Sequence, residues 1–218
     1  MKTIAVIDYG MGNLRSVAKA LEHVAAAGTR IDVTSDPERV YRADRVVFPG
    51  QGAARDCMRE LHSRSLDEVV LECSRQKPFL GICMGMQVLM ELSEENAGTD
   101  CLGIYSGKVL YFGEDLTDTK SGMRLKIPHM GWNQIHQTQP HPLWNDIDQD
   151  SRFYFVHSYF VQPDDTGLIA GETDYGRVFT SVIARDNVFA IQAHPEKSAA
   201  AGLQLLSNFS RWNGESQT

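Results

Sequence analysis

The sequence predicts an α/β fold, a doubly wound and mostly parallel sheet with an antiparallel extension in its second half. Three observations carry that expectation. Apolar runs at residues 3–8, 45–48 and 78–82 are near-continuous rather than alternating, the pattern of strands buried on both faces of a parallel sheet. Helical spacing alternates with those runs through the first ~95 residues, as βαβ units require. Beyond Leu102 that spacing gives way to glycine turns and polar alternation, and it returns only in a closing helix.

Each element has its own signal. After the first strand, residues 9–13 form the loop at its carboxyl end. A helix follows, with Leu14, Val17, Ala18, Leu21, Val24 and Ala25 on one face and Gly28 as its stop. Residues 31–34 read as the second strand, and Asp36-Pro37-Glu38 as a helix start, a cap followed by proline at the first helical position. The third strand, 45–48, runs into Pro49-Gly50-Gln51-Gly52. Ser65-Leu66-Asp67-Glu68 has the form of a capping box opening a helix to about Gln76. A strand then leads to Cys83, and a helix is expected from there through Leu92. In the second half, residues 102–112 and 124–137 read as turn-rich strand segments, and 152–161 as one strong strand. Segments 167–170, 178–184 and 188–192 add more strands, with Asp186-Asn187 as a hairpin turn. The closing helix spans 199–212, with Leu203, Leu206, Phe209 and Leu205 facing inward. No Pro/Gly/Ser-rich linker divides the halves, so residues 1–218 are expected to form a single domain.

Composition narrows the function classes. Hydrophobic residues at 42% and charged residues at 22% are ordinary for a globular chain and argue against disorder. The net charge of −7, without any basic run, argues against nucleic acid and anionic membranes as partners. The apolar start is too short for a signal peptide and is interrupted by Asp8, and no later run approaches the ~20 residues of a membrane span. Cys57, Cys73, Cys83 and Cys101 show no C-x-x-C pair and no framework spacing. A reduced cytoplasm fits, with all but Cys83 read as packing residues.

Cys83 stands apart because Gly81 and Gly85 flank it at two residues on either side. That is the G-x-nucleophile-x-G spacing of a strand-to-helix elbow, with cysteine at the apex. At a helix start, unpaired N–H groups favour the thiolate. Free cysteines are more often small buried hydrophobes, but that reading leaves the two glycines unexplained. Among seven histidines, His23, His62 and His141 read as surface groups and His136 as the end of a polar strand. His129 and His157 lie in patterned strands as core or site-lining groups. His194 follows an apolar strand at its carboxyl end, where open α/β sheets place their sites, and Pro195-Glu196 puts a carboxylate two residues on. The alternative is a surface turn with an incidental His and Glu. Candidate oxyanion donors are the Met84 N–H and the Gly50-Gln51-Gly52 backbone.

Gly81-x-Cys83-x-Gly85-x-Gln87 with His194-Pro195-Glu196 resembles the triad-type (class I) glutamine amidotransferases, whose fold is flavodoxin-like. The segments 8–14, 128–133 (Pro-His-Met-Gly-Trp-Asn), 154–159 and 194–198 are similar to one family among them, the glutaminase subunits of imidazole glycerol phosphate synthase. The likeness spans Ile4 to Phe209. It implies that Cys83 attacks the side-chain amide of glutamine, that His194 moves the protons, and that Glu196 orients His194. It implies that Gln87 and the backbone near Ser158 and Tyr159 hold the amino-acid end. It also implies a (β/α)₈ cyclase partner that takes the ammonia in histidine biosynthesis, with Asn13, Trp132 and Lys197 at or near the partner face, and no cofactor or metal. Three positions depart from the family: Gln51 for valine, Met84 for leucine and Ala193 for phenylalanine. Two other readings compete, a glutaminase serving a nucleotide, aromatic amino acid or nonulosonate synthase, and a non-catalytic flavodoxin-like module. The Met-Gly-Trp-Asn segment weighs against the first, and the joint presence of His194 and Glu196 against the second.

Overall fold

The computed structural model describes residues 2–118 and 121–215. Its first half runs β1 (Lys2–Ile7), α1 (Leu14–Val24), β2 (Thr29–Thr34), α2 (Pro37–Arg42), β3 (Arg45–Gly50), α3 (Ala54–Ser63), α4 (Leu66–Gln76), β4 (Phe79–Cys83) and α5 (Met84–Gln87). The second half adds β5 (Leu92–Ser93), β6 (Thr99–Asp100), β7 (Gly107–Tyr111), β8 (His129–Gln134), β9 (His136–Gln137), β10 (Arg152–His157), β11 (Tyr159–Pro163), β12 (Ile169–Asp174), β13 (Val178–Arg185), β14 (Val188–Ile191) and α6 (Ala199–Arg211).

The main sheet has the order β2-β1-β3-β4-β14-β13-β11-β7-β5-β6, with β12 and β9 branching from β13. The first five strands are parallel. From β13 outward the pairing is antiparallel, except that β5 runs parallel to β7. The period-2 alternation of a strand sends neighbouring side chains to opposite faces. Ile4 and Val6 of β1 join Leu80 and Ile82 of β4 in one core, covered by α1 (Val17, Leu21) and α6 (Leu205, Leu206, Phe209). Ala5 and Ile7 join Val46, Phe48 and Phe79 in the other, covered by α3 (Cys57, Leu61) and α4 (Val69, Val70, Cys73). Both faces of the central strands β3, β4 and β14 are therefore dry and their sequences mostly apolar, whereas the edge strand β2 (Thr-Arg-Ile-Asp-Val-Thr) stays partly exposed.

Five sequence expectations change. Residues 54–63, where the sequence pattern marks no element, form α3, with Ala54, Cys57, Met58 and Leu61 buried at helical spacing. Ser65 does not cap α4; it sits in the left-handed region at φ 54° and makes no side-chain cap bond, because it is the tight corner between α3 and α4. The helix after Cys83 ends at Gln87. Residues 101–105 take the next carbonyls, with Leu102, Tyr105 and Gly103 N–H donating to Val88, Leu89 and Met90. The strong strand 152–161 breaks at Ser158: β10 pairs only with β8 in a separate two-stranded sheet, while β11 joins the main one. His141 is buried rather than superficial, its Nδ1 accepting from Leu143 N–H at 3.1 Å and its ring tilted against Phe189 and edge-on to Trp212. The β13–β14 hairpin turns at Asp186-Asn187, as its sequence predicts. In α6, Leu205, Leu206 and Phe209 are fully buried and Leu203 only partly.

Candidate active site

Three parallel strands end at one level. Gly50 of β3 pairs in register with Cys83 of β4, and Ile191 of β14 pairs with Ile82, which sets Gln192 beside Cys83 and His194 just beyond. Cys83 occupies φ 55°, ψ −108°, a strained conformation for a residue with a side chain. The turn is tight enough that a Cβ on Gly85 would lie 1.9 Å from the Phe48 carbonyl oxygen, and one on Gly81 would lie 2.7 Å from the Gly85 carbonyl oxygen. The two glycines that mark the elbow in the sequence are thus required by backbone contacts on both sides. Gly50 is held as closely, its Cβ position lying 2.4 Å from the Tyr9 hydroxyl and 2.7 Å from Met84 Cβ.

His194 reaches Cys83 from the neighbouring strand end. Its Nδ1 lies 3.0 Å from Glu196 Oε1, and the two side chains are only 4% and 1% exposed. Burial alone would lower the basicity of the imidazole, but the hydrogen bond and charge of Cys83, then those of Glu196, outweigh it and raise the pKa to about 10. His194 therefore carries its proton at neutral pH, beside the Cys83 sulfur. A one-turn α5 has little macrodipole, so the charge of His194, not a long helix, is the main cation at the sulfur. Burial pushes the thiols of Cys57, Cys73 and Cys101 up to about 12, 11 and 11, leaving them inert at neutral pH.

A cleft of about 390 Å³ opens over this pair. Among the residues singled out in the sequence, Gln51, Gly52, Cys83, Met84, Gln87, Ser158, Tyr159, His194 and Lys197 line it. Gly50 lies buried beneath the cleft and Glu196 behind His194. Asn13 precedes α1 without a side-chain cap bond, and its neighbour Gly12 lies against Gly50. Trp132 is 44% exposed on β8, edge-on to Tyr154 across the β8–β10 pair, and Met130 on the same strand is 61% exposed. Neither Asn13 nor Trp132 lines the cleft. Ala193 is fully buried, so the small side chain beside His194 opens no path to solvent.

The sequence did not mark Glu95, which lines the cleft, or Gln192, which lies beside Cys83, while His157, read there as a core or site-lining group, lines the cleft. Glu95 lines the cleft while its Oε2 accepts from Ala54 N–H at 2.7 Å. His157 lines it too, with Nδ1 2.8 Å from the Tyr159 carbonyl and Nε2 3.0 Å from His129 Nδ1. A carbonyl only accepts, so His157 carries its proton on Nδ1 and takes a bond from His129 on Nε2. Burial drives both rings to low pKa, about 4 for His129 and about 3 for His157, where the neighbouring His129 adds to the effect, and they stay neutral. Gln192, fully buried, places Nε2 3.6 Å from Cys83 Sγ. Among the described residues no group of His, Cys, Asp and Glu is arranged to hold a metal, and no helix is long and apolar enough to cross a membrane.

The chain is similar to known proteins in sequence and in fold. The family model for glutamine amidotransferase class-I matches residues 5–211. The imidazole glycerol phosphate synthase subunit HisH of Nitrosococcus oceani is 61% identical over 99% of this chain and 100% of its own. The HisH subunit of Hydrogenovibrio crunogenus is 58% identical over 98% of each. Among solved structures, one glutamine amidotransferase superposes with a TM-score of 0.69 at 13% identity, covering 96% of this chain and 99% of its own. Another, from Thermotoga maritima, superposes with a TM-score of 0.59 at 13% identity, covering 96% and 83%. At those identities the structures speak for the fold.

Proposed function

The chain belongs to the class-I glutamine amidotransferases and, within them, to the HisH family, and from this premise we propose that it is the glutaminase of a two-subunit synthase. It hydrolyses glutamine and supplies ammonia for histidine biosynthesis. The observation that carries the mechanism is the buried Glu196–His194 pair set against Cys83 at adjacent strand ends.

The Cys83 thiolate attacks the side-chain amide carbon of glutamine. Negative charge moves to the amide oxygen, where the Met84 N–H and the Gln51 N–H within Gly50-Gln51-Gly52 receive it. His194 gives its proton to the departing nitrogen, the C–N bond breaks, and ammonia leaves a γ-glutamyl thioester. Neutral His194 then takes a proton from water, which attacks the thioester; glutamate leaves and the thiolate returns. Glu196 fixes the ring and holds the imidazolium charge in both half-reactions. Gln87 and the backbone at Ser158 and Tyr159 hold the amino-acid end of the substrate, and the Glu95 carboxylate meets its ammonium. Every proton and bond is accounted for by these groups and water, so the scheme uses no cofactor or metal.

Ammonia passes to a (β/α)₈ cyclase partner, which forms imidazole glycerol phosphate and an aminoimidazole carboxamide ribotide. Asn13, Trp132 and Lys197 form part of the partner face; exposed Met130 and Trp132 give it an apolar centre. The chain acts as one domain in the cytoplasm, where its four free cysteines stay reduced. The test is glutamine hydrolysis with and without the cyclase and its nucleotide substrate. Cys83→Ser should abolish hydrolysis and leave ammonia-fed cyclisation intact. Hydrolysis that persists in this variant would overturn the assignment of Cys83 as nucleophile.

A further inference from the structure

Gln192 is the last buried side chain before His194 with a polar end, and the reaction scheme gives it no role. Its orientation follows from its neighbours. Gln87 Nε2 lies 3.0 Å from the Tyr159 carbonyl and 3.0 Å from Gln192 Oε1. A carbonyl only accepts, so this end of Gln87 is its NH₂, and its second hydrogen goes to Gln192. The end of Gln192 that receives it must be the oxygen. The other end, the NH₂ group, is then the one 3.6 Å from Cys83 Sγ, a hydrogen-bonding distance for sulfur. The Tyr159 carbonyl is itself pinned from the far side by His157 Nδ1–H at 2.8 Å. The chain of contacts runs from buried histidines through Tyr159, Gln87 and Gln192 to the sulfur. Gln87, Gln192, His129 and His157 are all 5% exposed or less, so water does not loosen it.

We propose that Gln192 is a positioning residue for glutamine hydrolysis, its Nε2 holding the Cys83 thiolate and its Oε1 fixing Gln87 with the Gln87 oxygen turned to the substrate. The inference rests on the glutaminase reading above and adds a second donor at the nucleophile besides His194. A thiolate that accepts an N–H is favoured over a thiol, which accepts weakly. Two ends of one amide thereby couple nucleophile and substrate pocket, and two substitutions separate them. Gln192→Met keeps the length and removes both ends. Gln192→Glu keeps an oxygen for Gln87 and removes the donor at sulfur.

The experiment is the pH dependence of Cys83 alkylation by iodoacetamide in the full chain, followed by mass spectrometry, with glutamine KM in the cyclase complex as the second readout. Both variants should move the alkylation midpoint up by about one pH unit, a tenfold loss of thiolate below it. KM should rise about fivefold in Gln192→Met and stay near wild type in Gln192→Glu. A purely structural role would change stability without moving the midpoint. A midpoint within about 0.3 units of wild type in either folded variant overturns the proposal, since one unit is the expected scale. Should Gln192→Met fail to fold, Gln192→Leu, which also removes both polar ends and adds no charge at the sulfur, decides in its place. Alkylation needs neither glutamine nor partner, so a wild-type chain without glutaminase activity would refute the function and leave this result to stand or fall separately.

Discussion

Gly85→Ala is the sharpest perturbation of the elbow. Gly85 has no unusual φ that would exclude alanine, so the effect is steric. The added Cβ would lie 1.9 Å from the Phe48 carbonyl oxygen, where ordinary contact begins at 3.4 Å, so β3 or the elbow must yield by more than an ångström. Neither can yield cheaply. Phe48 pairs with Gly81 in the sheet, and two residues on along the same strand Gly50, the start of the proposed oxyanion loop, pairs with Cys83. Overpacking of this kind costs about 1–3 kcal/mol, or a melting temperature lower by about 2–12 °C in a chain of this size. Misplacing a reacting group by about 1 Å costs about a hundredfold in rate. Gly81→Ala, whose Cβ meets its nearest atom at 2.7 Å, should fall in the same direction by less. Gly98→Ala isolates backbone strain: φ is +106° with nothing within 4 Å, so stability should drop and activity should not. The assays are thermal unfolding and glutamine hydrolysis with the cyclase. A Gly85→Ala chain that melts within about 1 °C of wild type and turns over within about threefold of it would refute the argument.

Further outcomes follow from other parts of the molecule. His129, His141 and His157 are held by burial to about 4, 4 and 3, under the ordinary value of about 6.5, so between those limits the unfolded chain binds protons that the folded chain refuses. Stability should therefore fall as pH falls from about 6.5 to about 4, by up to ~1.4 kcal/mol per pH unit for each histidine. In urea unfolding, His141→Asn, which keeps an acceptor for Leu143 N–H, should reduce that slope by about one proton; an unchanged slope would contradict the assignment of His141 as a buried neutral group. In the cyclase complex, Gln51→Val should hydrolyse glutamine within about tenfold of wild type, while Gln51→Pro, lacking the N–H, should lose about 10²–10³ of the rate. A wild-type rate in Gln51→Pro would move the second oxyanion donor elsewhere. Glu95→Gln should raise the glutamine KM with a smaller effect on kcat, because the ammonium it is proposed to meet is held alike in ground and transition states; a fall in kcat alone would remove Glu95 from the binding site.

The parallel core was legible because its signals are local. An apolar run buried on both faces needs no partner to be recognised, and the Gly81-Cys83-Gly85 spacing records a backbone contact that any side chain at Gly85 would violate. His194 and Glu196 were legible because they lie two residues apart at a strand end. What escaped depends on the chain's return. Gln192 reads as the tail of an apolar strand, and only the Ile82–Ile191 register puts it at the sulfur. Glu95 enters the cleft from the turn after β5, far in sequence from Cys83's partners on β14 and beyond. The α3 periodicity was present at Ala54, Cys57, Met58 and Leu61, but charged residues between them masked it. The helix after Cys83 read too long because Val88, Leu89 and Met90 are buried apolar residues with helical neighbours. Their carbonyls are taken by a segment more than ten residues on, which no local pattern announces.

The central claim is that Cys83, alone among four cysteines, is the nucleophile placed to attack the side-chain amide of glutamine. A glutamine-mimicking chloroketone tests it directly, because it must be bound as glutamine and attacked as an electrophile. Incubated with the chain in complex with the cyclase and mapped by peptide mass spectrometry, it should label Cys83, leave Cys57, Cys73 and Cys101 untouched, and be slowed by added glutamine. Loss of hydrolysis should track the label one for one. Labelling of another cysteine, or labelling that survives Cys83→Ser, would contradict the account.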